Sequence, residues 1–239
     1  MTKQQISSKT KIAGVIGNPI SHSLSPKLHN YLLQKYQIDG LYLPFHVKKN
    51  EDLEGVVKSF FDLGFAGFNV TLPYKEEVMK YCHNISNEAR RIGAVNTVTI
   101  KDGEIYGENS DGFGYLSNLR NDFPNFITKN KEIIILGAGG AARAIIYTLA
   151  KEGAKKITII NRNKQKIDKI INDFSDLTEF SYENWDFDNK ILQNCDLLIN
   201  STSLGLAQKS DIEINLEFLN KKAIVSDVVY NPLMTKFLQ

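Results

Sequence analysis

The feature that constrains this chain most is a run of small residues placed directly after an apolar stretch. Residues 131–136 form an apolar run ending in Ile133, Ile134, Ile135 and Leu136, and Gly137, Ala138, Gly139, Gly140 and Ala141 follow without a break. An apolar run of this length reads as a buried strand. The next segment carries Ala141, Ile145, Ile146 and Leu149 at helical spacing. Strand, glycine loop and helix in that order let backbone amides approach a pyrophosphate, with the helix N-terminus supplying N–H groups and a favourable dipole. A glycine-rich turn that binds nothing is the plainer alternative, and the flanking strand and helix weigh against it.

The surrounding pattern repeats this alternation. A turn-rich patch, Asp122, Phe123, Pro124 and Asn125, opens a new unit. Strands are expected at 131–136, 156–160, 196–200 and 223–229, with a helix marked by Ile167, Ile170, Ile171 and Phe174. That is the order of a Rossmann-type half. Before it, a strand over 12–16 leads to a helix opened by Pro26, with Leu28, Tyr31 and Leu32 on one face. A strand over 41–47, a helix over 52–64 and a strand over 67–72 follow, the last stopped by Pro73. Residues 96–100 and 104–106 flank Lys101, Asp102 and Gly103 as a hairpin. The expected fold is α/β: an N-terminal α/β substrate domain, then a Rossmann-type nucleotide domain, with a cleft between them. The boundaries read 1–112, a helical linker over 113–122, a nucleotide domain over 123–233, and 234–239 starting a return to the first domain.

The end of the strand at 156–160 bears on the nucleotide, although its charges also suit an ordinary solvated helix start. An NAD site places an acidic side chain there for the ribose hydroxyls. Here Ile160 is followed by Asn161, Arg162, Asn163 and Lys164, with Lys166 beyond. A planar guanidinium suits a 2′-phosphate, so the expected cofactor is NADP(H). The formal net charge of +2 gives no reason to expect nucleic acid or a membrane as partner. Cys82 and Cys195 stand far apart, in no disulfide framework and no metal-ligand spacing, so no metal is expected. The polar N-terminus carries no signal-peptide pattern and no apolar run reaches membrane-spanning length, which predicts a cytoplasmic protein. No heptad or apolar stripe fixes the oligomeric state, so monomer and homodimer both stand.

Polar residues gather where the first unit's strands end. Ser25 precedes a helix start and reads as its N-cap, whereas Ser23 has no such duty. Together the two hydroxyls suit a carboxylate. Alternation puts Asn69 and Thr71 on one side of their strand. Lys75 follows the proline turn, where an ordinary surface lysine is the plain reading. Asp111 reads equally well as a helix cap. A lysine and an aspartate facing one another would make a proton-transfer pair, which oxidation of an alcohol requires as hydride leaves carbon.

These motifs together resemble the shikimate dehydrogenase family, whose members reduce 3-dehydroshikimate to shikimate with NADPH on the route to chorismate and the aromatic amino acids. The matching stretches are GNPISHSLSPKLHN at 17–30, GFNVTLPYKE at 67–76, IGAVNTV at 92–98, GENSDGFG at 107–114, ILGAGGAARA at 135–144, NRN at 161–163, INSTSLGL at 199–206 and DVVYNPLMTKFL at 227–238. The resemblance implies that Ser23 and Ser25 hold the substrate carboxylate, with Tyr230 near it. Thr71, Asn96 and Asp111 contact the substrate, and Lys75 with Asp111 forms the catalytic pair. Gly137, Ala138, Gly139, Gly140, Ala141, Asn161, Arg162, Lys166, Ser201, Thr202 and Val228 border the cofactor. Two features depart from the family. Lys166 stands where an arginine is common. Family members usually continue past the position of Gln239 into a helical segment carrying a glutamine ligand. A chain cut short, or a cleft lacking part of one wall with an apolar face uncovered, is therefore expected. A quinate/shikimate dehydrogenase and a non-catalytic NADP-binding relative are the alternatives.

Overall fold

Isoleucine-rich runs and glycine-led turns settle into two separate sheets, each with its own core. A computed structural model describes residues 6–48, 52–206 and 209–239, and the chain divides into units of residues 1–110 and 111–239.

The first unit holds a six-stranded sheet in the order β2-β1-β3-β5-β6-β4. β1 (Lys11–Gly17) lies parallel to β2 (Gly40–His46) and β3 (Gly67–Val70). β5 (Thr97–Lys101) runs antiparallel to β3 and to β6 (Glu104–Glu108), with the short β4 (Asn84–Ile85) at the edge. The hairpin between β5 and β6 turns at Asp102 and Gly103, both at positive φ, the geometry that matches strand twist. α1 (Ser25–Lys35) and α2 (Leu53–Asp62) supply the crossovers, and α3 (Asn87–Ile92) precedes the hairpin. Asp52 caps α2 by accepting the Glu54 N–H at 3.0 Å. Ile16, Val57, Phe60, Phe68, Val70, Val78 and Val95 form the core.

The second unit holds five parallel strands in the order β11-β10-β7-β8-β9. These are β7 (Glu132–Leu136), β8 (Lys156–Ile160), β9 (Glu179–Glu183), β10 (Leu197–Asn200) and β11 (Ile224–Asp227). The chain moves outward from β7 to β9, then crosses back to β10 on the other side of β7. Ligands of open α/β sheets bind at such a reversal. α4 (Asp111–Asp122), α5 (Gly140–Lys151) and α6 (Lys164–Phe174) accompany the strands.

Several expectations need correction. The segment expected as a linker helix packs on α5 inside the second unit: a Cβ on Gly112 would lie 2.1 Å from Thr148 Oγ1 and 2.5 Å from the Ala144 carbonyl. Residues 234–239 also stay with the second unit. Phe237 is buried beside Ile134, Leu136 and Leu198, and Thr235 Oγ1 donates to Asp227 Oδ2 at 2.7 Å. Leu28 and Tyr31 are more than half exposed, because α1 turns His29, Leu32 and Leu33 toward the sheet instead. β4, α3 and β9 were not foreseen. Among the described residues, no helix is long and apolar enough to cross a membrane, and no group of three or more His, Cys, Asp or Glu side chains is placed to hold a metal.

Candidate active site

The glycine loop sits at the strand-order reversal of the second sheet. Gly137 has φ +112°, a region that disfavours L side chains, and an added Cβ would lie 2.8 Å from Ser201 Oγ. The loops after β7 and β10 are therefore in direct contact. Ser201 joins them, its N–H and its hydroxyl both donating to the Leu136 carbonyl at 2.9 and 2.7 Å. Gly139 is the opposite case: nothing stands within 4 Å of where its Cβ would be. The open side of the loop and the first N–H groups of α5 thus border the same space.

Asn200 organises the loop after β10. It is fully buried, and all its polar capacity is used. Its Oδ1 accepts the Thr202 N–H at 2.9 Å and the Thr202 hydroxyl at 2.7 Å, while Nδ2 donates to the Leu204 carbonyl and to Asp227 Oδ1. Asp227 also accepts the Val229 N–H at 2.9 Å. One buried amide thereby links Ser201 and Thr202 to the turn bearing Val228 and Tyr230. Tyr230 itself is half exposed. At the end of β8, Asn161 is half-buried and Arg162 and Lys166 are exposed. Asn163 caps α6 by accepting the Lys166 N–H at 3.1 Å.

In the first unit the expected substrate ligands gather at one end of the sheet. β1 and β3 finish there and antiparallel β5 begins there, since Asn69 pairs with Thr97. The Asn18 N–H donates to the Leu72 carbonyl at 2.8 Å and the Thr71 N–H to the Ile16 carbonyl at 3.0 Å. The loop bearing Ser23 and Ser25 is thereby tied to the turn bearing Thr71 and Lys75. Val95 N–H donates to the Lys75 carbonyl at 2.7 Å, and Val70 N–H to the Asn96 carbonyl at 2.8 Å. Lys75 is half-buried rather than a free surface lysine.

Neither serine is the N-cap of α1. Leu24 occupies the N-cap position of α1, and Ser25 is its first helical residue. Ser23 Oγ accepts the Ser25 N–H at 3.3 Å. Two further arrangements were not foreseen. Asn96 Oδ1 accepts the Ser110 N–H at 2.9 Å and its Nδ2 donates to Ser110 Oγ at 3.1 Å, so it holds the residue that precedes Asp111. Asp111 is half-buried and opens α4 as its first helical residue. Behind Asn96, the Tyr42 hydroxyl donates to Asn69 Oδ1 at 2.6 Å, and Asn69 Nδ2 donates to the Asn96 carbonyl and Thr97 Oγ1, each at 3.2 Å. His29 stacks on Tyr42 at 4.1 Å. Burial pushes the Tyr42 hydroxyl well above its ordinary pKa and holds the His29 imidazole below its own. Both groups thus stay neutral near pH 7. Their pairing gave no warning in sequence, because 13 residues separate His29 from Tyr42 and the stack forms only when α1 packs on the sheet.

Residues 15–98 match the shikimate dehydrogenase substrate binding domain and residues 120–228 match shikimate / quinate 5-dehydrogenase. The chain belongs to the shikimate dehydrogenase family. A relative from Dinoroseobacter shibae, named shikimate dehydrogenase (NADP(+)), is 42% identical over 97% of this chain and 82% of its own length. A crystal structure of a shikimate dehydrogenase in complex with NADP+ superposes with a TM-score of 0.89 at 37% identity, covering 100% of this chain and 83% of the other. A shikimate 5-dehydrogenase from Listeria monocytogenes, solved with shikimate and NAD, gives 0.88 at 33% identity, covering 99% and 84%.

Proposed function

We propose that the chain catalyses the reversible NADPH-dependent reduction of 3-dehydroshikimate to shikimate, a step toward chorismate and the aromatic amino acids. The observation that carries this reading is the gathering of Ser23, Ser25, Thr71, Lys75 and Asn96 at one end of the first sheet. Ser23 and Ser25 donate their hydroxyls to the substrate carboxylate, with Tyr230 a further contact on the carboxylate side. Thr71, Asn96 and Asp111 bind the ring oxygens. Lys75 gives a proton to the oxygen of the reducing carbonyl and takes it back in the oxidation, with Asp111 as its partner in that exchange.

The residues of the second unit fit a dinucleotide. The backbone of Gly137, Ala138, Gly139, Gly140 and Ala141 frames the pyrophosphate, which the bare Gly139 surface leaves room for. Asn161, Arg162 and Lys166 meet the adenosine ribose and its 2′-phosphate. Ser201, Thr202 and Val228 line the nicotinamide side. When bound, the reduced nicotinamide supplies the hydride. Two free cysteines suit a reducing cytoplasm.

The reading is tested by incubating the protein with NADP and shikimate, then with NADP and quinate, while following the absorbance of the reduced nicotinamide. A signal with shikimate that exceeds the one with quinate is the expected result. A larger signal with quinate moves the substrate assignment to that compound. No signal with either, alongside measurable NADP binding, leaves a binding protein and defeats the proposal.

A further inference from the structure

Arg162 is exposed on a loop, where a flexible cation by itself discriminates poorly between ligands. The strand register supplies a support for it. β8 and β9 pair Ile160 with Glu183, and the Asn161 N–H donates to the Glu183 carbonyl at 3.3 Å. Two residues past that pair, the strands deliver Arg162 and Trp185 side by side. The Arg162 Cζ lies 5.4 Å from the Trp185 ring centroid, within the ~6 Å range over which a ring face attracts a cation. Trp185 is half-buried against the cluster of Ile134, Leu136, Ile160 and Leu198. The ring is thus the anchored member of the pair.

The neighbouring cation is committed elsewhere. Lys164 Nζ stands 3.3 Å from both carboxylate oxygens of Asp168 and 4.9 Å from the Tyr182 ring centroid. The Asp168 hydrogen bond and charge raise its pKa and offset its charge. Arg162, by contrast, keeps its full charge against a neutral ring.

We propose that Trp185 is a positioning residue that holds the Arg162 guanidinium for the 2′-phosphate, and so sets the preference for NADP over NAD. This rests on the reading of Arg162 as the phosphate contact. The ring restricts the guanidinium before the ligand arrives, so less side-chain freedom is lost on binding. It also leaves the N–H edge of the fork available to phosphate oxygens, which an ion pair would occupy.

The test uses the full chain and two probes, adenosine 2′,5′-bisphosphate and adenosine 5′-monophosphate. Trp185→Leu keeps apolar bulk and removes the ring face. It is expected to weaken the bisphosphate about two- to fivefold and leave the monophosphate unchanged, with Trp185→Phe recovering most of the loss. An equal loss for both probes, or no loss, overturns the proposal. Should the leucine variant fail to fold, the native protein answers through its single tryptophan. Emission from Trp185 must change on adding the bisphosphate and much less with the monophosphate at saturation, and equal responses overturn the proposal. Arg162→Ala separates the two levels. If it leaves the bisphosphate preference intact, the cofactor reading fails. If it removes the preference while Trp185→Leu does not, only the positioning role fails.

Discussion

At the scale of single residues, the candidate site side chains were readable by motif but not by environment. Lys75 is the proposed proton donor, and its backbone is fixed by the Val95 N–H rather than left on a mobile loop. Lys75→Ala should lower kcat by about a hundredfold or more, with the shikimate dissociation constant nearly unchanged, as steady-state rates and a binding titration would show. Turnover close to native would remove the acid/base assignment. Gly137 was legible as the tight turn after a strand, and its φ of +112° is a conformation that favours glycine. Ser23 and Ser25 were legible as a hydroxyl pair, but their local roles were misassigned. A serine one position either side of a helix start looks the same in sequence, and only the Leu24 backbone decides which is the cap. Asn69 and Tyr42 were not legible as a pair, since 27 residues separate them and only the parallel sheet brings them together.

At the scale of elements, the helices and strands with strong apolar patterns were readable and the short ones were not. β7, β8 and α6 carry isoleucines at clear periods. β9, with the sequence EFSYE, has two acids and a serine in five residues, because it is an edge strand buried on one side at most. α3 is six residues long and owes its existence to the Ser86 cap and to Gly93 at φ +74°, not to a long amphipathic face. The same scale holds a stability device in the second unit. Arg143 on α5 is buried, its Nη2 2.5 Å from Asp173 Oδ2 on α6 and its guanidinium 5.1 Å from the Phe174 ring centroid. Arg143→Ala removes the clamp between the two helices and leaves a space beside Phe174. Because the Asp173 side chain is 36% exposed and can rehydrate, the cost should fall near about 2 kcal/mol, below the range for a fully buried pair. Urea unfolding would show this as a lower midpoint with an unchanged slope. A loss under about half a kcal/mol would mean that the pair contributes no more than a surface contact.

At the scale of the whole molecule, the α/β class followed from the alternation of apolar runs and helical periods. The division of the chain did not follow as closely. The turn at Asp122 to Asn125 looked like the boundary, but Gly112 lets α4 approach α5, which draws the helix into the second unit. A glycine that enables helix contact carries no such label in sequence. The residues after Pro232 behaved similarly, since Phe237 finds its pocket among the second unit's own isoleucines and leucines. The central claim is the proposed reaction, hydride transfer from NADPH to 3-dehydroshikimate. Reduction of 3-dehydroshikimate by the native chain with NADPH deuterated at the transferring carbon tests that claim most directly. The expected product is shikimate carrying one deuteron at the new carbinol carbon, formed in step with oxidation of the cofactor. Cofactor oxidation without labelled shikimate, or no reaction in the presence of both bound ligands, would contradict it.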